Sequence, residues 1–184
     1  MRRVALLLLC GYAASCAGAR APAANPSPAL PSAVGSPAPV TFPSERVTVR
    51  FGEGAEVRAE VAVTAPQLAR GLMYREKLGT DDGMLFLLQT LDADGFYMKN
   101  TLIPLSIAYM RRTANRTYQV LAILDMEPCP PATVKCPTYP PGTYYDATVE
   151  VNKGWFARNG VKPGAVADVT GPIPNPFDHP TPTP

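Results

Sequence analysis

A two-residue rhythm constrains this chain more than any other feature. Val47, Val49 and Phe51 alternate with polar neighbours, and after Gly52-Glu53-Gly54 the pattern resumes with Val57, Ala59, Val61 and Val63. Successive side chains of an extended backbone point to opposite faces, so this spacing predicts two strands joined by a hairpin turn, each with one buried face. The period then changes. Thr64-Ala65-Pro66-Gln67 has the form of a helix start, with Thr64 as N-cap, Pro66 in the first turn and Gln67 placed to complete a capping box. That helix is expected to be short and to end near Gly71 to Met73. Further strands are expected at Met84–Leu88, Phe96–Lys99, Ser106–Arg111, Tyr118–Met126, Ala147–Val151 and Ala165–Thr170, with a turn at Thr113–Arg116. Asn152 is placed to cap a second short helix running to Asn159 and stopped by Gly160. The resulting fold class is mainly β (β-rich α+β), a compact barrel-like or half-closed sheet with two short helices.

Composition sets the limits of the folded part. Residues 16–43 are rich in Ala, Pro and Ser and 172–184 are again rich in Pro, which suits an extended linker and a disordered tail better than a core. A single domain is therefore expected over 44–171. Residues 1–15 have the layout of a secretory signal peptide: a basic start at Arg2-Arg3, then an apolar run too short to span a bilayer. Ala13-Ala14-Ser15 before Cys16 partly matches a bacterial lipoprotein signal, making Cys16 the expected lipidation site and lipid the expected membrane anchor. The alternative is ordinary cleavage near Ala19 and release of a soluble periplasmic protein. Either way the expected location is a bacterial cell envelope. Loss of Arg2 and Arg3 leaves fifteen basic and fifteen acidic side chains, a balance that offers nucleic acid no electrostatic attraction.

Several chemistries are excluded by what the domain lacks. The one histidine, His179, falls in the C-terminal tail, so neither a Ser-His-Asp or Cys-His nucleophile system nor a histidine zinc site is expected in 44–171. There is no glycine-rich phosphate loop, and no cofactor or metal is expected. Cys129 and Cys136 share a Pro-rich loop, and in an exported protein they read as a disulfide closing a small loop; their spacing is not that of a thioredoxin motif or zinc knuckle. Met73, Met84, Met98, Met110 and Met126 fit core packing better than a copper(I) site. Asp81, Asp82, Asp92 and Asp94 fit turns. Trp155 fits a helix-packing role.

The best candidate for binding is the end of the Phe96 strand, where Lys99, Asn100 and Thr101 offer an ammonium, an amide and a hydroxyl together. The same residues suit a sharp turn equally well. Arg70 and Arg75 flank the end of the first helix, either satisfying its last carbonyls or reaching the same pocket as Lys99.

Arg70-Gly-Leu-Met-Tyr-Arg75, Gly83-Met-Leu-Phe86, Phe96-Tyr-Met-Lys-Asn-Thr101, Ile103-Pro-Leu105 and Val149-Glu-Val-Asn152 with Gly154 together resemble the signature of the family known as domain of unknown function 192. The resemblance spans roughly 46–171 and implies a compact β-rich fold without an assigned activity. Where the family usually has Asp, this chain has Ser106 and Ala165, and Tyr97 stands for the more usual Trp. The expected function is a non-enzymatic, envelope-located binding or accessory domain, with a small molecule, a glycan or an envelope protein as partner. The alternatives are a hydrolase acting on an envelope polymer through Asp82 or Asp94, and a protein-interaction module.

Overall fold

A computed structural model describes residues 39–174. The expected signal peptide, Cys16, the linker as far as residue 38 and the tail from residue 175 lie outside the described residues.

The alternating start folds as read. Strand β1 (Val47–Phe51) and strand β2 (Ala55–Ala62) form an antiparallel hairpin, Phe51 opposite Ala55. Gly52 takes the left-handed conformation (φ 57°) that this tight turn demands. Helix α1 (Ala65–Arg70) begins with the expected capping box: the Gln67 amide donates to Thr64 Oγ1 while the Gln67 side chain accepts from the Thr64 amide. Strand β3 (Asp82–Asp92) lies parallel to β2, so the segment carrying α1 is the crossover that a parallel pair requires.

Strands β5 (Leu105–Ala114), β6 (Thr117–Met126), β8 (Tyr145–Asn152) and β9 (Val166–Thr170) complete the order β1-β2-β3-β8-β5-β6-β9. Because β9 pairs back onto β1, the sheet is a closed seven-stranded barrel, which removes its edges. Of the two expected forms, barrel-like or half-closed, the closed barrel is the one adopted. Strand β4 (Phe96–Tyr97) and strand β7 (Thr138–Tyr139) pair only with each other, outside the barrel.

Two apolar clusters follow. One fills the barrel with Val49, Val57, Val61, Leu85, Val149 and Val169 among others, and helix α2 (Trp155–Arg158) adds Trp155 and Phe156 against Phe51. The second covers the outer face of β3, β8 and β5 with Met84, Phe86, Met98, Ile107, Tyr109 and Tyr145. Those three strands are therefore buried on both faces, which explains the continuous apolar run Met84–Leu88. Met84, Met98, Met110 and Met126 are all buried, as core methionines should be. Phe42, upstream of the expected domain start, packs on the second cluster, and Ile173 packs on the first.

Two local expectations need correction. Asn152 does not cap α2; it donates to the carbonyls of Leu78 and Gly79 (3.4 and 2.8 Å), and Gly154 in the left-handed conformation occupies the cap position. The strand expected at Phe96–Lys99 stops at Tyr97, because Asn100 turns the chain with φ 59°.

Candidate functional site

A cleft of ≈ 180 Å³ opens on the roofed outer face of the barrel. One wall is the end of α1 and the turn behind it, from Leu68 to Met73. The other is the β3–β4 connection, from Asp92 to Tyr97. Thr101 and Tyr145 contribute from the sides, and the floor is β8, where Glu150 stands on the outer face beside Met84 and Ile107 of the flanking strands.

Local sequence explains both walls. Gly71 (φ 43°) ends α1 where a side chain would meet the Phe86 ring at 3.2 Å, so glycine lets the turn press onto the floor. On the opposite wall the Asp92 carboxylate accepts from the amides of Ala93 and Asp94 (2.7 and 2.9 Å), the Asx-turn favoured by aspartate. Gly95 lies so close to Tyr139 and Pro140 that a Cβ would stand 2.4 Å from the Pro140 nitrogen, which locks the turn to β7. The rings of Phe86, Phe96, Tyr109 and Tyr145 stack edge to face or tilted beneath this wall, with centroids 4.8–6.3 Å apart.

Glu150 is the unusual member. Its residue surface is 5 % exposed, it lines the cleft, and it has no hydrogen-bond or ion-pair partner among the described residues. Burial alone pushes its carboxyl up to about 8, so at neutral pH it holds its proton. Thr148, two residues earlier on the same face, has a buried hydroxyl that is also without a partner. Buried polar groups are normally satisfied, so each exception calls for a partner such as a water, an ion or a ligand. Nearby, Tyr109 donates to the Tyr139 carbonyl and Tyr145 to the Asp94 carbonyl. Desolvation raises both phenols, Tyr109 to about 12, so both stay protonated.

The five expected binding residues do not converge. Thr101 is buried and lines the cleft, and Arg70 stands at its rim with its guanidinium 4.7 Å above the Tyr74 ring. Lys99 and Asn100 are not part of the lining: Lys99 is exposed, and the Asn100 carbonyl accepts from the Tyr74 amide (2.8 Å). Tyr74 and Asn100 both hold positive φ (62° and 59°), a conformation rare for a bulky residue. Arg75 turns away to make two contacts with Glu60 (2.9 and 2.6 Å). Asp82, a candidate hydrolytic acid, is paired with Arg46 and Arg58, and Asp81 accepts from the Trp155 indole. Asp94 alone of the two candidate acids lines the cleft.

Cys129 and Cys136 are joined as a disulfide, Cα atoms 5.9 Å apart. The bonded loop is tied to the turn that ends β4, for the Cys129 amide donates to the Thr101 carbonyl. Ser106, at the position where the family usually has Asp, donates to Asp125 across the β5–β6 pair and accepts from the Gly154 amide. An acid is thus present on the neighbouring strand instead. Two larger depressions, ≈ 370 and ≈ 590 Å³, lie by the β1–β2 turn and along α1; the second shares Leu68 and Asp92 with the cleft.

The sequence pattern hid Glu150. In the run Ala147-Thr-Val-Glu-Val151 a lone acid at an alternating position reads as solvent-facing, and only the roof of α1 and β4 makes that position internal.

Fold and site define a class: a closed seven-stranded barrel with one outer face roofed to form a small polar-floored cleft. The chain belongs to the domain of unknown function 192 family, described as "Uncharacterized ACR", whose model matches residues 47–169. Among solved structures it is similar to a candidate transcription regulator from Sinorhizobium meliloti 1021, with 26% identity, a TM-score of 0.58, and coverage of 71% of this chain and 97% of that one. It is also similar to a protein of unknown function from Novosphingobium aromaticivorans DSM 12444, with 34% identity, a TM-score of 0.54, and coverage of 68% and 84%. No curated protein matches the chain.

Proposed function

We propose that this domain is a non-enzymatic, envelope-located binding or accessory module that takes a small molecule into the cleft above Glu150. The observation that carries this reading is the buried carboxyl of Glu150, without a partner among the described residues, at the bottom of an aromatic-walled opening. A buried carboxyl is normally hydrogen-bonded, and one that opens onto a cleft is free to take its partner from solution. The cleft is smaller than the roughly 300–1,000 Å³ typical of drug-sized ligands, so the occupant is a compact one.

The test is a thermal-shift and NMR screen of residues 39–174 against wall fragments, glycans, amines, carboxylic acids and nucleotides. A hit that moves the amides of Gly71, Phe96 and Thr101 and is weakened by Glu150→Gln supports the reading. Hits confined to other surfaces, or none, would refute it.

Location in the envelope rests on the signal-like start, and attachment to a membrane on acylation of Cys16. Labelled fatty acid incorporated by the wild type and not by Cys16→Ala supports the lipid anchor; equal labelling sinks it. The regulator description of the Sinorhizobium protein finds no electrostatic support here, because basic and acidic side chains balance after the first fifteen residues.

One observation favours a second reading, hydrolysis of an envelope polymer. Glu150, Asp92 and Asp94 line one cleft, and two carboxyl groups facing a shared space are what glycoside hydrolysis needs. Release of reducing sugar from wall glycan by the wild type, abolished in Glu150→Gln, would establish it in place of simple binding.

A further inference from the structure

The charges around the cleft narrow what it can hold. Three acids line it, Glu150 on the floor and Asp92 and Asp94 in the turn, against one base, Arg70, whose guanidinium is already placed over the Tyr74 ring. Asp92 is partly satisfied by the turn amides, and Asp94 contributes only its backbone carbonyl to the hydrogen bond with Tyr145. Glu150 is 5 % exposed and has no partner among the described residues. Among the described residues no three His, Cys, Asp or Glu side chains are grouped closely enough to hold a metal ion. Phe86, Phe96 and Tyr145 supply ring faces and edges beside the acids, the surroundings that attract an organic cation.

We propose that the occupant of the cleft is a small organic ammonium ion with an apolar body, its charge held by the Glu150 carboxylate and its body against Phe86 and Phe96. This rests on the reading that the cleft binds a small molecule, and it names the class. Lys99 and Arg75, two of the basic residues expected at a binding site, do not line the cleft and so bring it no positive charge.

Binding carries a proton balance. The ammonium keeps its protons, the Glu150 carboxyl releases its own to solvent, and a carboxylate–ammonium pair forms in the cleft. Affinity should therefore rise with pH and level off above about 8. The titratable and charged groups facing Glu150 are Tyr109 from β5, Tyr145 from β8, Asp92 and Asp94 from the β3–β4 turn, and Arg70 from α1; β3 presents only Met84 and Phe86. Both tyrosines stay neutral over this range, so they do not add to the pH dependence.

The experiment compares three probes of one size, butylammonium, n-butanol and butyrate, by NMR titration of the Gly71, Phe96 and Thr101 amides. Butylammonium is expected to bind about tenfold more tightly than the alcohol, the increment of a charge-assisted hydrogen bond, and Glu150→Gln to erase that preference. Asp94→Asn, at the rim, should weaken the ammonium alone and by less. Preference for butyrate, equal affinity for all three, or ammonium binding untouched in Glu150→Gln would each overturn the proposal while leaving a small-molecule site in place. Silence from all three probes would overturn it as well. The wider screen then decides the parent reading by itself.

Discussion

Glu150 makes the sharpest statement at the scale of a single residue, since one side chain couples stability to pH. Its carboxyl is raised from 4.5 to about 8 by burial. Between those values the unfolded chain has lost a proton that the folded chain retains, so stability falls as pH rises and levels off above the folded value. The expected slope is about 1.4 kcal/mol per pH unit where one proton separates the states. Urea unfolding of wild type and Glu150→Gln at a series of pH values from 5 to 9 should show the slope in the first and its near absence in the second. Arg75 offers the contrasting case. Its guanidinium faces Glu60, a largely buried acid that otherwise has only a longer contact to Arg46 (3.4 Å). Arg75→Ala should cost about 1–2 kcal/mol by leaving Glu60 short of a partner, read as a lowered urea midpoint, without changing occupancy of the cleft. The sequence did not separate these two arginines, because Arg70 and Arg75 flank the same helix end. Which one reaches a pocket depends on Glu60 of β2, a partner fifteen residues away.

Among the elements, α1 shows how much local chemistry can be read directly. Thr64, Pro66 and Gln67 define its start, and the capping box forms as their spacing implies. Thr64→Ala should destabilise the domain by about 1 kcal/mol, measured by urea unfolding. It should also broaden the Gly71 amide resonance, because a helix of six residues has little else to hold it. Strands β1 and β9 and the first residues of β2 and β6 were legible for the same reason: one face is wet and the other dry. Strands β3, β5 and β8 reveal their existence but not their exposure, since the second apolar cluster buries the face that alternation assigns to water. Strand β4 defeats local reading altogether. Phe96 to Thr101 has the composition of a strand, yet only Phe96 and Tyr97 pair as one, with Thr138–Tyr139 in a loop with no strand pattern; Lys99 and Thr101 make single bridges to Cys129, and Asn100 turns the chain between them. The roof of the cleft is thus built from the least periodic parts of the chain.

For the whole molecule, the disulfide decides how firmly that roof stays on. Cys129 anchors a loop that holds Thr101 and, through Tyr139, the β4 strand. Replacing both cysteines by serine should cost about 2–3 kcal/mol, the loop-closure value for a short ring, seen as a lowered melting temperature. Hydrogen exchange should locate the loss: amides of Phe96, Thr101 and Cys129 would exchange faster, whereas Leu85 and Val149 inside the barrel would stay protected. Closure of the barrel has a different consequence. Strand β1 lies beside β9, and Gly171 packs so near Val47 that a Cβ would sit 3.3 Å from its Cα. The order in which the strands are threaded is consequently separable from the shape they enclose. A circular permutant that joins residue 171 to residue 41 and begins at Arg116, in the exposed β5–β6 turn, should fold to the same barrel and keep its cleft.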